Sequence, residues 1–355
     1  MPVQREAAEM GHGRWLLVLC LPLATALAQT TTPMPAAAPA QETFAAATTP
    51  DAVIDMPAVA VSGVQPGPGM WRVSKGDHHL WILGTVSPLP NRLQWKSEQV
   101  EAVLAQADQV LGSPGITVDT DLGFFGKLML APSAFKAGRN PGDVTLQEIL
   151  PADLYARWSR LKAQYIGRDR GIEKKRPIVA ASELYFDAIK QSGLGDKPVI
   201  RPVFKRAMKK RKLDYTPATL ELRIADPKAA IAEFRGESLD DVECMRKTLD
   251  LVEHDIPAMV ERANAWAVGD IEALQRSPAV GTQAVCVAAF SQSRAARKRG
   301  LTDVEARVKA MWLEVAEQAL QQSDTTVATL PVSELLATDG YLAAFRARGY
   351  EITEP

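Results

Sequence analysis

Ser87 stands just past the turn Gly84-Thr85-Val86, at the end of the apolar run Leu80-Trp81-Ile82-Leu83. Such a run reads as a buried strand. The residue after its turn points into the crevice at the strand's C-terminal end, where α/β proteins build sites. A serine there could act as a nucleophile if a base lay within hydrogen-bond reach. The candidate bases, His78 and His79, precede the same strand, and adjacent strand residues point to opposite faces, so at most one faces the crevice. The stretch Gly84-Thr85-Val86-Ser87-Pro88 also lacks the Gly-x-Ser-x-Gly pattern of a nucleophile elbow. A hydroxyl capping the following turn is the expected role, ahead of a serine hydrolase.

A second group is carboxylate. Asp119 and Asp121, in Thr117-Val118-Asp119-Thr120-Asp121, could join Glu334 around a hard divalent cation, which favours oxygen ligands. Two aspartates read as loop residues are more often solvated or used as caps, so this metal set is the weaker alternative. Beyond residue 28, soft-metal ligands are scarce: His78, His79, His254, Cys244 and Cys286, with no His-x-x-x-His and no Cys-x-x-Cys. His254 falls within a helical stretch and is expected to be a surface or satisfied residue.

The N-terminus carries an export signature. Arg14 precedes the apolar run Trp15 to Ala24, and Ala26-Leu27-Ala28 offers a small-residue cleavage site before Gln29. The run is too short to span a bilayer, so residues 1–28 are expected to be a cleaved signal peptide and the mature chain to be exported, not transmembrane. Cys20 raises a lipoprotein alternative, which the bulky Leu19 before it disfavours. In an oxidising compartment the remaining even pair, Cys244 and Cys286, is most simply a disulfide, worth about 4 kcal/mol in the chain-entropy model. Two buried free thiols are the other reading.

The chain has 355 residues, 46% of them hydrophobic, enough for a sizeable core. A formal net charge of −1 provides no global field toward nucleic acid. One local exception is Arg201 to Lys212, with Arg201, Lys205, Arg206, Lys209, Lys210, Arg211 and Lys212. It reads either as a solvated helix face or as a dock for an anionic partner such as a phospholipid headgroup or an acidic polysaccharide.

Residues 29–69 are rich in Ala, Thr and Pro and read as a disordered tether, with a short strand conceivable at Ala58 to Ser62. The domain is expected from Met70 to the end, residues 70–355. Strands are predicted at Trp71 to Ser74 and His79 to Leu83, joined by Lys75-Gly76-Asp77, then at Val110-Leu111, Leu220 to Ile224, Thr325 to Leu330 and Tyr350 to Thr353. Helices are predicted from Ser97 to Ala107, after Leu150-Pro151, after Arg176-Pro177, after Asp226-Pro227 and over the long stretch Ser238 to Ala267. Thr302-Asp303-Val304-Glu305 reads as a capping box opening a helix to about Gln321, and a last helix follows at Tyr341 to Arg346. Trp158, Trp266 and Trp312 fall on apolar helix faces and are expected in the core. Strands near both ends with a helical middle predict an α/β fold, a mixed β-sheet with flanking helices and a helical middle region.

Met70-Trp71-Arg72-Val73-Ser74 with His79 to Val86, Ala107-Asp108-Gln109-Val110-Leu111-Gly112-Ser113, Ala265-Trp266-Ala267-Val268-Gly269-Asp270, Asp339-Gly340-Tyr341-Leu342 and Arg348-Gly349-Tyr350 share order and spacing with a known pattern. Over Met70 to Glu354 the chain resembles the TraB/PrgY/GumN family, which includes the Tiki metalloproteases. The resemblance implies a site that is a metal-dependent hydrolytic centre in that family. Its positions here are Ser87 in place of a histidine, Ser113 in place of a glutamate, Arg307 as in the family, followed by Val308 in place of an asparagine, and Glu334 within the segment Pro331 to Leu335 that replaces the second histidine. Neutral imidazoles and carboxylates hold a divalent ion through strong lone pairs, which a serine hydroxyl does not match. The expectation is an exported, periplasmic protein with a degenerate site, no cofactor and a binding or accessory role. The alternative is a metal-dependent, peptidase-like hydrolase remodelled around Asp119, Asp121 and Glu334.

Overall fold

The computed structural model describes residues 63–355 apart from 121, 123, 196–198, 237–240 and 278–293. The strands are β1 (Val64–Gln65), β2 (Met70–Lys75), β3 (His78–Thr85), β4 (Leu89–Pro90), β5 (Gln94–Trp95), β6 (Gln109–Leu111), β7 (Gly115–Thr120), β8 (Leu194–Gly195), β9 (Asp214–Thr216), β10 (Thr219–Ile224), β11 (Thr325–Pro331) and β12 (Glu351–Thr353). The α-helices are α1 (Glu98–Gln106), α2 (Phe124–Ala137), α3 (Leu146–Ile149), α4 (Ala152–Tyr165), α5 (Pro177–Gln191), α6 (Arg201–Arg211), α7 (Pro227–Gly236), α8 (Asp241–His254), α9 (Ile256–Val268), α10 (Ile271–Arg276), α11 (Arg294–Lys298), α12 (Val304–Gln322), α13 (Val332–Leu335) and α14 (Tyr341–Ala347).

The main sheet has six strands in the order β12-β2-β3-β11-β6-β9. A two-residue loop containing Gly76, at φ +61°, folds β2 back on β3, and that hairpin is antiparallel. From β3 onward the pairings to β11, β6 and β9 are parallel. The last strand, β12, pairs antiparallel with β2, so the two ends of the domain meet in one sheet. This is the predicted mixed α/β architecture.

Alternation along the strands sends neighbouring apolar residues to opposite faces. Trp71, Val73, Leu80, Ile82, Leu111, Ala328 and Leu330 pack with Trp312, Leu313 and Leu320 of α12 and with Tyr341, Leu342 and Phe345 of α14. Met70, Leu83, Val110 and Val327 face the other way, onto Val100 and Leu104 of α1 and Val203 and Phe204 of α6. Each fully buried Leu or Ile in these layers contributes roughly 2 kcal/mol. A third apolar cluster is helical. It joins α3, α4, α5, α8 and α9 and reaches the sheet through Val86, Leu89 and Val332, which follow the C-terminal ends of β3 and β11.

Several sequence expectations are refined. Within the stretch Ser238 to Ala267 the described residues, from Asp241 on, form two helices, α8 and α9, parted at Asp255 ahead of Pro257. The capping box expected at Thr302 to Glu305 is not formed. The residue before α12 is Asp303 at φ +54°, with no side-chain cap bond, and this left-handed turn takes Thr302 out of capping position. Leu220 to Ile224 is a strand, but it lies outside the main sheet and pairs in parallel with β7. The described fold already includes β1, ahead of Met70, and Gly67 N donates to Ala267 O at 2.8 Å. Residues 1–62, with the signal, the tether up to residue 62 and the Ala58 to Ser62 strand, lie outside the described residues, as do Asp121 and Cys286, while residues 63–69 of the expected tether are described and hold β1.

Candidate functional site

The parallel strands β3, β11 and β6 end side by side, with Thr85 opposite Pro331 and Leu111 opposite Ala328. Crevices at such carboxyl ends are where α/β sheets hold ligands. Two buried indoles fix this edge. Trp266 Nε1 of α9 donates to Gly84 O at 2.8 Å, and Trp312 Nε1 of α12 donates to Gly112 O at 2.8 Å. Each indole thus packs in the core while its N–H finds a backbone carbonyl partner there. Close approach restricts what these glycine positions can carry, most strictly at Gly84. A Cβ on Gly84 would lie 2.7 Å from both Trp71 Cζ3 and Val332 Cγ2, and one on Gly112 would lie 2.7 Å from Tyr215 Oη.

The side chains set on this frame are few. Ser87, two residues beyond Thr85, is exposed. Thr85 itself turns inward and donates from Oγ1 to Leu330 O at 3.2 Å. Ser113, two residues beyond β6, is exposed, and its Oγ shares a hydrogen bond with Thr329 Oγ1 at 2.7 Å. Glu334 sits on α13, directly after β11. Its side chain is exposed in part, yet packing around the carboxyl pushes the pKa above the ordinary value. The Glu305 carboxylate adds to that rise and the Lys309 ammonium opposes it.

The neighbourhood of Glu334 was not legible beforehand. Tyr341, packed edge-on against Trp312 with centroids 5.0 Å apart, has its phenol pushed far up by burial and then by Glu334. Lys309 Nζ lies 5.8 Å from the Tyr341 ring centroid and also donates to Asp339 O. Helical spacing within α12 could have paired Glu305 with Lys309, four residues apart, but nothing local placed them against α13 and α14.

The other predicted residues lie elsewhere. Arg307 is exposed near the start of α12 and donates from Nη1 to Gly300 O at 3.1 Å. Asp119 is in strand β7 where a loop was expected, with its carboxylate 3.5 Å from Arg223 Nε on the paired strand. His78 and His79 stand at the opposite end of β3 from Ser87, with about 20 Å of strand between His79 and Thr85. His78 Nδ1 lies 3.0 Å from Ser323 O, and His79 Nδ1 lies 3.0 Å from Ser74 Oγ. Neither can serve Ser87 as a base. His254 ends α8 on the surface, 3.9 Å from Glu253. Cys244 is fully buried on α8.

The donors at the strand edge do not fit a divalent metal. Ser87 and Ser113 are neutral hydroxyls, and Glu334 is the one carboxylate at these positions. Among the described residues, no group of three or more His, Cys, Asp or Glu side chains could hold a metal ion. No helix among the described residues is long and apolar enough to cross a membrane.

No curated protein and no solved structure matches the chain. The sequence model of one family, described as the TraB/PrgY/gumN family, matches residues 69–354. That span takes in both indole–glycine ties, the strand edge they hold and the three polar positions upon it, and the chain belongs to the TraB/PrgY/gumN family.

Proposed function

We propose that this chain is an exported, periplasmic member of its family that uses the strand edge to bind a polar ligand or partner and does not hydrolyse through a metal. The observation that carries the reading is the donor set itself. Ser87 and Ser113 are hydroxyls, the latter already sharing a hydrogen bond with Thr329, and Glu334 is the one carboxyl among these positions. Hydroxyls donate and accept in turn, so the set suits hydroxyl or amide groups on a ligand better than a cation. Metal-assisted hydrolysis needs a defined set of ligands to lower the pKa of bound water, and this edge supplies one carboxyl toward it. The export signature at Arg14 to Ala28 supports the compartment, and the burial of Cys244 accords with a Cys244–Cys286 disulfide there.

Calorimetric titration of the purified chain with Zn²⁺ and with Mn²⁺ tests the reading, alongside a peptide-turnover assay. The expected result is no stoichiometric binding and no turnover. Stoichiometric binding of either ion that disappears in Glu334→Ala would overturn the proposal and assign a remodelled metallohydrolase. Fractionation of cells expressing the chain tests export, with recovery in the cytoplasm at full length as the contrary result. Thiol labelling of the unfolded, unreduced protein tests the disulfide. Modification of Cys244 and Cys286 without prior reduction would exclude it.

A further inference from the structure

Helix α6 holds a ridge of cations that the strand-edge site does not use. Within residues 201–212 there are seven Lys and Arg side chains and no acidic residue. Removing those seven from a chain of net charge −1 leaves −8 on the rest, so this segment is locally basic on a net acidic chain. Arg201, Lys205 and Lys209 follow at four-residue steps and form one row, with Arg206 and Lys210 in the adjacent row, all exposed. The opposite side of the helix is committed to the core, with Val203 5% and Phe204 8% exposed.

The ridge is also fixed in place. Arg211 donates to Ala105 O and Ala107 O, tying the C-terminal end of α6 to the end of α1. Arg206 lies 3.6 Å from Glu101. Arg201, Lys205, Lys209, Lys210 and Lys212 have no acidic partner among the described residues. This arrangement works against the helix. Like charges four residues apart repel, and Arg201 opposes the dipole at the helix start, each by a few tenths of a kcal/mol.

We propose that the exposed face of α6 is a docking surface for an anionic phospholipid bilayer. Two adjacent rows along a helix about 16 Å long make a narrow plane of charge, which can meet a flat array of headgroups. The unpartnered cations are mostly lysines. These are flexible point charges suited to diffuse attraction, without the planar fork that grips one carboxylate or phosphate. Because the apolar side of α6 is buried, the contact is electrostatic without insertion, and it weakens steeply with salt.

The test is co-sedimentation of the full chain with vesicles of phosphatidylcholine alone and of phosphatidylcholine mixed with phosphatidylglycerol. Partitioning is expected onto the anionic vesicles only, and to fall as salt is raised. The triple variant Lys205→Gln, Lys209→Gln, Lys210→Gln should lower it about 100-fold, at about fivefold per lysine. The corresponding triple Lys→Arg variant should retain it, and Lys228→Gln, exposed on α7, should leave it unchanged. The triple Gln variant should melt no lower than the parent, since repulsion is relieved. Equal partitioning of parent and triple Gln variant would overturn the proposal, as would equal partitioning onto both vesicle types. Binding of soluble polygalacturonate without any vesicle association would overturn it as well, and would assign the ridge to a soluble polyanion.

Discussion

At its N-terminal end, strand β3 carries two imidazoles, and each has a structural partner. His78 lies against Ser323 O and His79 against Ser74 Oγ. At its C-terminal end the same strand carries a glycine whose carbonyl is held by Trp266, and beyond it stand Ser87, Ser113 and Glu334, with no imidazole among these three positions. The end with the geometry of a site has hydroxyls and one carboxyl. The end with the stronger metal ligands has both of them engaged by structural partners. The difference shows that frame and chemistry are separable in this molecule. The frame rests on buried packing and closed backbone polar groups, while the exposed positions above it are free to differ without harming the fold.

If the C-terminal end is the structural anchor, Trp266→Ala should have the largest effect. Loss of a fully buried indole and its bond to Gly84 should cost about 4 kcal/mol in a denaturant titration. Gly84→Ala should follow at about 2 kcal/mol, because the new methyl would press on Trp71 and Val332. A neutral outcome for Gly84→Ala would show that the edge yields, and would weaken the claim of a rigid frame.

Glu334→Gln sharpens the contrast from the chemical side. The folded-state pKa of Glu334 is raised above its ordinary 4.5, so the folded protein holds that proton more tightly than the unfolded chain. Stability from this group is present below about pH 4.5 and declines as pH rises through the folded pKa. Glu334→Gln should therefore stabilise the protein at pH 7 and lose that advantage at acid pH. The side chain is partly solvated, so the gain should stay under about 1 kcal/mol. A destabilised Glu334→Gln at pH 7 would show an unrecognised partner for the carboxylate.

The smallest effect belongs to the other end of the strand. His79→Gln should cost about 0.5–1 kcal/mol, the worth of one hydrogen bond. It should leave ligand binding at the strand edge unchanged. A cost equal to that of Trp266→Ala, or any loss of binding, would break the comparison.

Much of the frame was readable from local pattern. The apolar runs at Trp71 to Ser74 and His79 to Leu83, the turn at Gly76, and the Pro151, Pro177 and Pro227 helix starts depend on neighbours in sequence, and the structure has them. Local rules failed where a long-range or backbone effect intervened. Thr302 and Glu305 have the spacing of a capping box, but the left-handed Asp303 between them breaks it. Leu220 to Ile224 has strand character, yet nothing in it says that its partner is β7. Trp266 and Trp312 read correctly as core, but their indole bonds to Gly84 and Gly112 join residues 182 and 200 positions apart.

The sequence by itself determined the elements, the end of β3 where a site would lie and the residue types that stand there, because each of these follows from side-chain chemistry and short-range backbone preference. Only the tertiary structure decided that Glu305 and Lys309 of α12 face Glu334 of α13, and that both histidines of β3 are turned to structural use at its far end. Those outcomes depend on which distant segments pack together, and packing is settled by the whole core at once.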